Sequence, residues 1–383
     1  MYRLFAVTTP GLEIYLQREL KTLGFSATPP VAFDSTGEAH DEAGGVEFDA
    51  SLADLYRVNL HLRTANRILS RLGEFTANGF EELHKKAARL TWTQYLRPGQ
   101  PVALRVTCRK SRLYHSDAVA REVLEAINST MSKPCTLVKF DENIRPVPPL
   151  VVVRLFRDVC TISMDTSGAS LHRRGYRLET AKAPLRETLA AGLLFTSGWD
   201  PKTPLIDPFC GSGTIAIEAA LMARNMAPGK NRRFAFTDWP NFDSPLWQGI
   251  YKEAAAKELV DCPPILASDR DEGAIRISTA NAERAGVLAN LDLKCQTFSE
   301  ILPPEAMGWI VTNPPYGVRV SASKDLRNLY SHLGDVLRQK CEGWHASILC
   351  SDPILAGHTH LKFRKPLNLV NGGIPVGLYS TDL

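Results

Sequence analysis

Apolar and polar positions follow two different rhythms in this chain, with the changeover near residue 183. Before that point short strands and helices are mixed. Residues 1–7 read as a strand. Leu12, Tyr15, Leu16 and Leu20 share one helical face, and Gly24 ends that pattern. Val46-Glu47-Phe48-Asp49 alternates like a strand, and residues 51–60 read as a helix. Residues 64–72 alternate in part, and residues 101–108 are strand-like. Residues 116–124 are helix-like, with Ser116 a candidate N-cap. Residues 150–156 and 159–165 read as a hairpin turning at Arg157-Asp158. This mixture predicts an α+β region.

After residue 183 strand and helix alternate. Leu185, Leu189, Leu193 and Leu194 share a face of a helix over 184–194, with Pro184 suited to its first turn. Strands are expected at 205–206, 265–268, 291–297, 309–311 and 347–350. Helices are expected at 215–224, 274–285 and 325–340. The rhythm predicts a doubly wound, mostly parallel sheet. Residues 365–380 read as two strands turning near Asn371-Gly372-Gly373.

Charge sharpens the contrast between the halves. The net charge is +4, and residues 1–180 carry all of it, with 24 Lys and Arg against 20 Asp and Glu. Within 97–177 the count is 14 basic against 7 acidic, the footprint of a polyanion partner or of a solvated basic face. Arg109, Lys110 and Arg112 are candidate phosphate contacts there. So are Arg173, Arg174 and Arg177 in His172-Arg173-Arg174-Gly175-Tyr176-Arg177. The same arginines would also suit a charged linker. No apolar run is long enough to span a bilayer, and the N-terminus lacks the apolar core of a secretion signal. Eight scattered cysteines without Cys-x-x-Cys argue against zinc or a disulfide framework and fit reduced thiols in the cytoplasm. His358 and His360 lack a third ligand nearby, so no metal is expected.

Two motifs carry chemistry. Asp207-Pro208-Phe209-Cys210-Gly211-Ser212-Gly213-Thr214 is a strand end, a glycine turn and a helix start. It lacks the third glycine of a dinucleotide fingerprint and the Lys of a P-loop. Gly211 and Gly213 let a ligand approach the backbone, and Asp207 could pair with a cationic amino-acid moiety. Asp269, at the next strand end, could bind a ribose diol, while Asp271 suits a helix cap. The second motif is Asn313-Pro314-Pro315-Tyr316. An Asn oxygen and a Pro314 carbonyl can each accept one N–H of a planar amine, turning its conjugated lone pair toward a methyl donor. The two prolines stiffen the turn, and Tyr316 could stack on a base. The pair of motifs points to amino-group methylation. Guanine in RNA, adenine in DNA and glutamine in a protein all remain open as acceptors, as does an RNA-binding protein with a degenerate fold.

Residues 171–177, Ala183-Pro184-Leu185-Arg186-Glu187-Thr188-Leu189-Ala190, residues 206–214 and residues 313–316 together resemble the bacterial THUMP-domain RNA methyltransferases. The resemblance covers nearly the whole chain. It implies a Rossmann-like class I methyltransferase sheet, preceded by an α+β ferredoxin-like and THUMP region. The implied boundaries are 1–60 ferredoxin-like, 61–167 THUMP, 168–182 linker and 183–383 methyltransferase. The implied cofactor is S-adenosylmethionine, and the implied substrate is guanine N2 in RNA, 23S rRNA above all, with tRNA the alternative. By motif, Asp207, Gly211 and Gly213 would hold the methionine part of the cofactor, in a cofactor-binding set that also takes in Pro208, Phe209, Cys210, Thr214, Arg270, Thr297 and Phe298. Asp269 would bind the ribose, and residues from Pro184 to Thr188 would line the cofactor's outer side. Asn313, Pro314, Pro315 and Tyr316 would hold the base, with Asn313 also near the cofactor. One departure stands out. Where the family has an acid for the adenine amino group, this chain has Thr297, followed by Phe298, so that Thr297, Ser299 or a backbone carbonyl would have to take its place.

Overall fold

The computed structural model describes residues 1–27, 44–178, 185–316, 326–364 and 366–383. The elements up to residue 165 are β1 (Tyr2–Thr8), α1 (Glu13–Thr22), β2 (Gly45–Ala50), α2 (Leu52–His61), β3 (Ala65–Thr76), α3 (Phe80–Ala87), β4 (Pro101–Arg109), α4 (Ser116–Asn128), β5 (Thr136–Leu137), β6 (Leu150–Phe156) and β7 (Val159–Asp165). Their strands form one sheet in the order β2-β1-β3-β7-β6-β4-β5. The long strand β3 makes this continuity, because it pairs antiparallel with β1 and with β7. The β6–β7 hairpin turns at Arg157 and Asp158, both at positive φ, as its sequence suggested. Ser116 is the first helical residue of α4 and not its cap, a place taken by His115.

The elements beyond residue 185 are α5 (Glu187–Ser197), β8 (Leu205–Asp207), α6 (Thr214–Ala223), α7 (Ser244–Ala256), β9 (Ile265–Asp269), α8 (Glu272–Ala285), β10 (Leu291–Cys295), β11 (Trp309–Thr312), α9 (Arg327–Lys340), β12 (His345–Cys350), α10 (Pro353–Gly357), β13 (Leu367–Asn371) and β14 (Ile374–Asp382). Their sheet has the order β10-β9-β8-β11-β12-β14-β13. The first five strands are parallel, β14 runs antiparallel to β12, and β13 pairs antiparallel with β14. Strand order reverses between β8 and β11, so a ligand crevice is expected at the carboxyl ends of these two strands. Helices α5 and α6 are apolar on nearly every face and are buried accordingly. Helix α5 starts at Glu187, later than expected, and Pro184 lies outside the described residues.

The chain divides into two compact units that are not contiguous in sequence. One contains residues 1–8, 16–171 and 232–252, and the other residues 9–15, 172–231 and 253–383. The segment 232–252 gave no periodic signal, yet it is built into the first unit by aromatic packing. Tyr56 stacks on Phe236 at 4.5 Å and meets the edges of Phe242 and Trp247, each at 5.9 Å. Tyr95 meets Trp239 at 4.8 Å. Arg232 donates to the carbonyls of Ser167, Ala169 and Ser170.

Candidate active site

The glycine turn begins where β8 ends. Gly211 and Gly213 have φ of +54° and +77°, a region that side chains rarely adopt. A Cβ on Gly211 would point into open space, the room a ligand needs to lie against this backbone. The turn is fixed from α8: the Ser278 hydroxyl donates to the Gly211 carbonyl (2.7 Å) and the Asn281 amide to the Ser212 carbonyl (3.1 Å). Both residues are fully buried. They were not singled out in the sequence, although a polar pair at i, i+3 within a buried helix face was a usable sign.

Asp207 is buried beneath this turn. Its carboxylate accepts from the Thr312 hydroxyl at 2.7 Å and from the Phe209 amide at 3.3 Å, which ties β8 to β11 at the reversal point. Burial pushes the Asp207 carboxyl up to about 7, against the pull of these hydrogen bonds and with Asp269 adding to the rise. No cation pairs with this buried carboxyl among the described residues, and a ligand ammonium group would supply one. Asp269 accepts from the Gly211 amide (3.1 Å) and the Asp271 amide (3.0 Å), so its carboxylate is fixed at the crevice. Asp271 caps α8 through the Gly273 amide, as expected. Arg270 is exposed, and Pro208, Cys210, Thr188 and Thr214 are buried. Phe209 and Phe298 are half-buried, with ring centroids 5.2 Å apart. Thr297 has its hydroxyl enclosed in a capping box with Glu300 and bonded to Ser299.

The second motif leaves the end of β11 beside Asp207. Asn313 Oδ1 is buried and has no hydrogen-bond partner among the described residues, a cost a folded chain seldom leaves unmet. Pro314 is buried and Pro315 exposed. Tyr316 is only 6% exposed, and its hydroxyl accepts from the Asn371 side-chain amide at 3.0 Å. The Tyr330 hydroxyl lies 3.4 Å from the Pro315 carbonyl, donating to it. The open stacking face expected of Tyr316 is thus not what the structure presents: the ring is packed, and anchors the turn instead.

The arginines separate into two groups. Arg174 is 2% exposed and pairs with Glu218 at 3.5 Å. Arg177 pairs with Glu187 at 3.4 Å and donates to the Leu185 carbonyl and the Thr214 hydroxyl, both at 2.7 Å. Burial raises Glu187 to about 7, with the Arg177 charge opposing. Tyr176 donates to Glu218 at 3.1 Å. Arg174 and Arg177 are therefore internal struts of the second unit, a correction to their expected role as phosphate contacts. Arg109, Lys110, Arg112 and Arg173 are exposed.

Comparison with known proteins agrees with this geometry. A family model described as the RMKL-like methyltransferase domain matches residues 174–375. The chain belongs to the RMKL-like methyltransferase family. Models for the RlmL ferredoxin-like domain and for the THUMP domain match residues 3–69 and 77–165 of this family member. A Synechocystis sp. protein named "Putative RNA methyltransferase slr0064" is 33% identical over 99% of this chain and 96% of its own length. Ribosomal RNA large subunit methyltransferase K/L of Syntrophotalea carbinolica is 34% identical over 100% of this chain, which spans 53% of that longer protein. SMU.472, solved in complex with SAH, is 30% identical with a TM-score of 0.84, over 100% of this chain and 98% of its own. SAH is S-adenosylmethionine after its methyl group has left, so the cofactor of this class I fold is S-adenosylmethionine. The residues present fit that group: an open glycine turn, a buried carboxyl wanting a cation, and a fixed acid at the neighbouring strand end.

Proposed function

We propose that this chain is an S-adenosylmethionine-dependent RNA methyltransferase acting on the exocyclic N2 amine of guanine, with 23S rRNA as its substrate. The observation that carries the reading is the buried Asn313 Oδ1, without a hydrogen-bond partner among the described residues, directly after Thr312, which binds Asp207 at the strand-order reversal. The names of the long relatives support the choice of rRNA.

A guanine amine is a poor nucleophile because its lone pair is delocalised into the ring. Asn313 Oδ1 and the Pro314 carbonyl each accept one amine N–H, which favours a pyramidal nitrogen with its lone pair directed at the donor. The bound cofactor supplies an electrophilic methyl group. Attack would precede deprotonation, so no strong base would be required: the C–N bond would form as the donor's S–CH3 bond breaks to leave the thioether, and the extra proton would then pass to solvent. The pinned turn holds both acceptors in place before the base arrives, so little reorganisation is needed at the moment of reaction. Asp207 orients the cofactor's ammonium end, and Asp269 accepts from its ribose. Exposed Arg109, Lys110, Arg112 and Arg173 contact phosphates.

The test is transfer of labelled methyl from S-adenosylmethionine to RNA and DNA of a strain lacking the protein, with nucleoside mass spectrometry. N2-methylguanosine in 23S rRNA is expected. Label in tRNA would overturn the choice of RNA, and label in DNA adenine would overturn RNA altogether.

A further inference from the structure

Residues 9–15 stand far from the methyltransferase stretch in sequence, yet they belong to the second compact unit. Leu12 is fully buried in the core of that unit, in one cluster with Leu189, Leu193 and Leu369, and Tyr15 packs against it. The space for Leu12 comes from a missing side chain. A Cβ on Gly192, inside α5, would stand 2.5 Å from Leu12 Cδ1 and 3.1 Å from its Cδ2. Glycine in a helix interior is less favourable than alanine. Here it leaves a notch in α5, and Leu12 fills it.

The neighbouring residue meets β13. Gly11 has a φ of +97°, and a Cβ there would stand 2.8 Å from the Asn368 carbonyl oxygen and 3.1 Å from Leu369 Cδ2. The backbone of this hook therefore lies directly on β13. Its shape is held by its own bonds: the Gly11 amide donates to the Glu13 carboxylate (2.8 Å) and the Leu12 amide to the Thr9 carbonyl (3.0 Å). Among the described residues β13 is the last strand of its sheet and pairs with β14 alone, so a contact from outside the sheet adds to what fixes it. Leu369 and Asn371 are two apart on β13 and both buried, so they share one face. Asn371 is the residue whose amide holds the Tyr316 hydroxyl at 3.0 Å.

We propose that Gly11 and Leu12 are positioning residues for the acceptor turn. Leu12 anchors the hook in the α5 notch, and Gly11 carries that anchor to β13. With β13 fixed, Asn371 meets Tyr316 and the turn from Asn313 to Tyr316 keeps its place. The proposal rests on the reading of that turn as the holder of the acceptor amine. It makes the methyltransferase core incomplete without a segment from the opposite end of the sequence.

The test uses the full chain. It measures kcat for methyl transfer to 23S rRNA from a strain lacking the protein, the calorimetric dissociation constant for S-adenosylhomocysteine, and hydrogen exchange across residues 309–316. Leu12→Ala and Gly11→Ala are each expected to lower kcat by up to about tenfold, the loss set by the one hydrogen bond through which they act. The dissociation constant should stay near the wild-type value, which shows the second unit folded. Exchange in residues 309–316 should be faster. Leu12→Met, which still fills the notch, should keep the wild-type kcat. In an Asn371→Ala background Leu12→Ala should add little, whereas a general packing loss would add in full. Wild-type kcat and exchange in both alanine variants, or full additivity with Asn371→Ala, would overturn the proposal. If Leu12→Ala loses cofactor binding, Gly11→Ala decides. The acceptor reading is judged separately, by methyl transfer of the wild type. A wild type that makes no N2-methylguanosine, while the hook variants still speed exchange of the turn, would sink that reading and leave the hook's role standing.

Discussion

At the scale of single residues, the site depends on a few buried polar groups. Asn313→Ala is expected to abolish methyl transfer and leave the dissociation constant for S-adenosylhomocysteine within about twofold, as read by calorimetry. Asn371 acts one step further out, through Tyr316. Asn371→Ala is expected to lower kcat about tenfold with cofactor binding unchanged, the scale set by loss of one buried hydrogen bond. In a Tyr316→Phe background the same change should cost little, because the bond is already gone; a full additive loss would remove Asn371 from this role. Asp207 gives the site a pH dependence. Its folded-state value near 7 stands above the ordinary 3.8, so the neutral carboxyl is the form the unliganded fold favours. Its contribution to stability is present below pH 4 and is lost as pH rises through about 7. A cationic ligand reverses the preference. Cofactor affinity is therefore expected to rise with pH, by up to about tenfold per unit below 7, and to level off above it. Asp207→Asn should flatten that profile.

At the scale of elements, the sequence was informative wherever a periodic pattern decided burial. The β6–β7 hairpin, the Asp271 cap of α8 and the β13–β14 hairpin at Gly372-Gly373 appear where expected. Motif chemistry also placed Asp207, Gly211 and Asn313 at strand ends. Partnership was what the pattern could not disclose. Arg174 and Arg177 suit phosphate contacts by sequence because three arginines stand beside a glycine and a tyrosine, a pattern equally open to a charged linker. Their acids, Glu218 on α6 and Glu187 at the start of α5, are distant enough in sequence that only the fold joins Arg174 to Glu218. The strut matters to α6, since Arg177 holds the Thr214 hydroxyl at its first turn. Arg177→Met leaves Glu187 buried without its cation and is expected to cost about 3–5 kcal/mol, seen as a lower chemical-denaturation midpoint. Adding Glu187→Leu should recover much of that loss. If the single and double variants are equally unstable, the pair is not the strut described.

For the whole molecule, the least legible feature was the exchange of segments between units. Aromatic density at Phe234, Phe236, Trp239, Phe242 and Trp247 was visible, but without period 2 or 3.6 it named no element. The partners that give it meaning, Tyr56 and Tyr95, are more than 100 residues upstream. Phe236 is fully buried, so Phe236→Ala is expected to destabilise the first unit by about 3–5 kcal/mol, although it lies within the stretch matched by the methyltransferase model. Hydrogen exchange should locate the effect in residues 44–171; faster exchange confined to the second unit would contradict the assignment. The interleaving also sets an order of events during synthesis. The first unit cannot close when residue 171 emerges from the ribosome, because its last piece ends at residue 252. At about 5–20 residues per second the nascent chain waits on the order of 4–16 s with Tyr56 and Tyr95 uncovered. Through that interval the aromatic surface is available to a chaperone or to a neighbouring chain, so yield in the cell should depend on translation speed between these two positions.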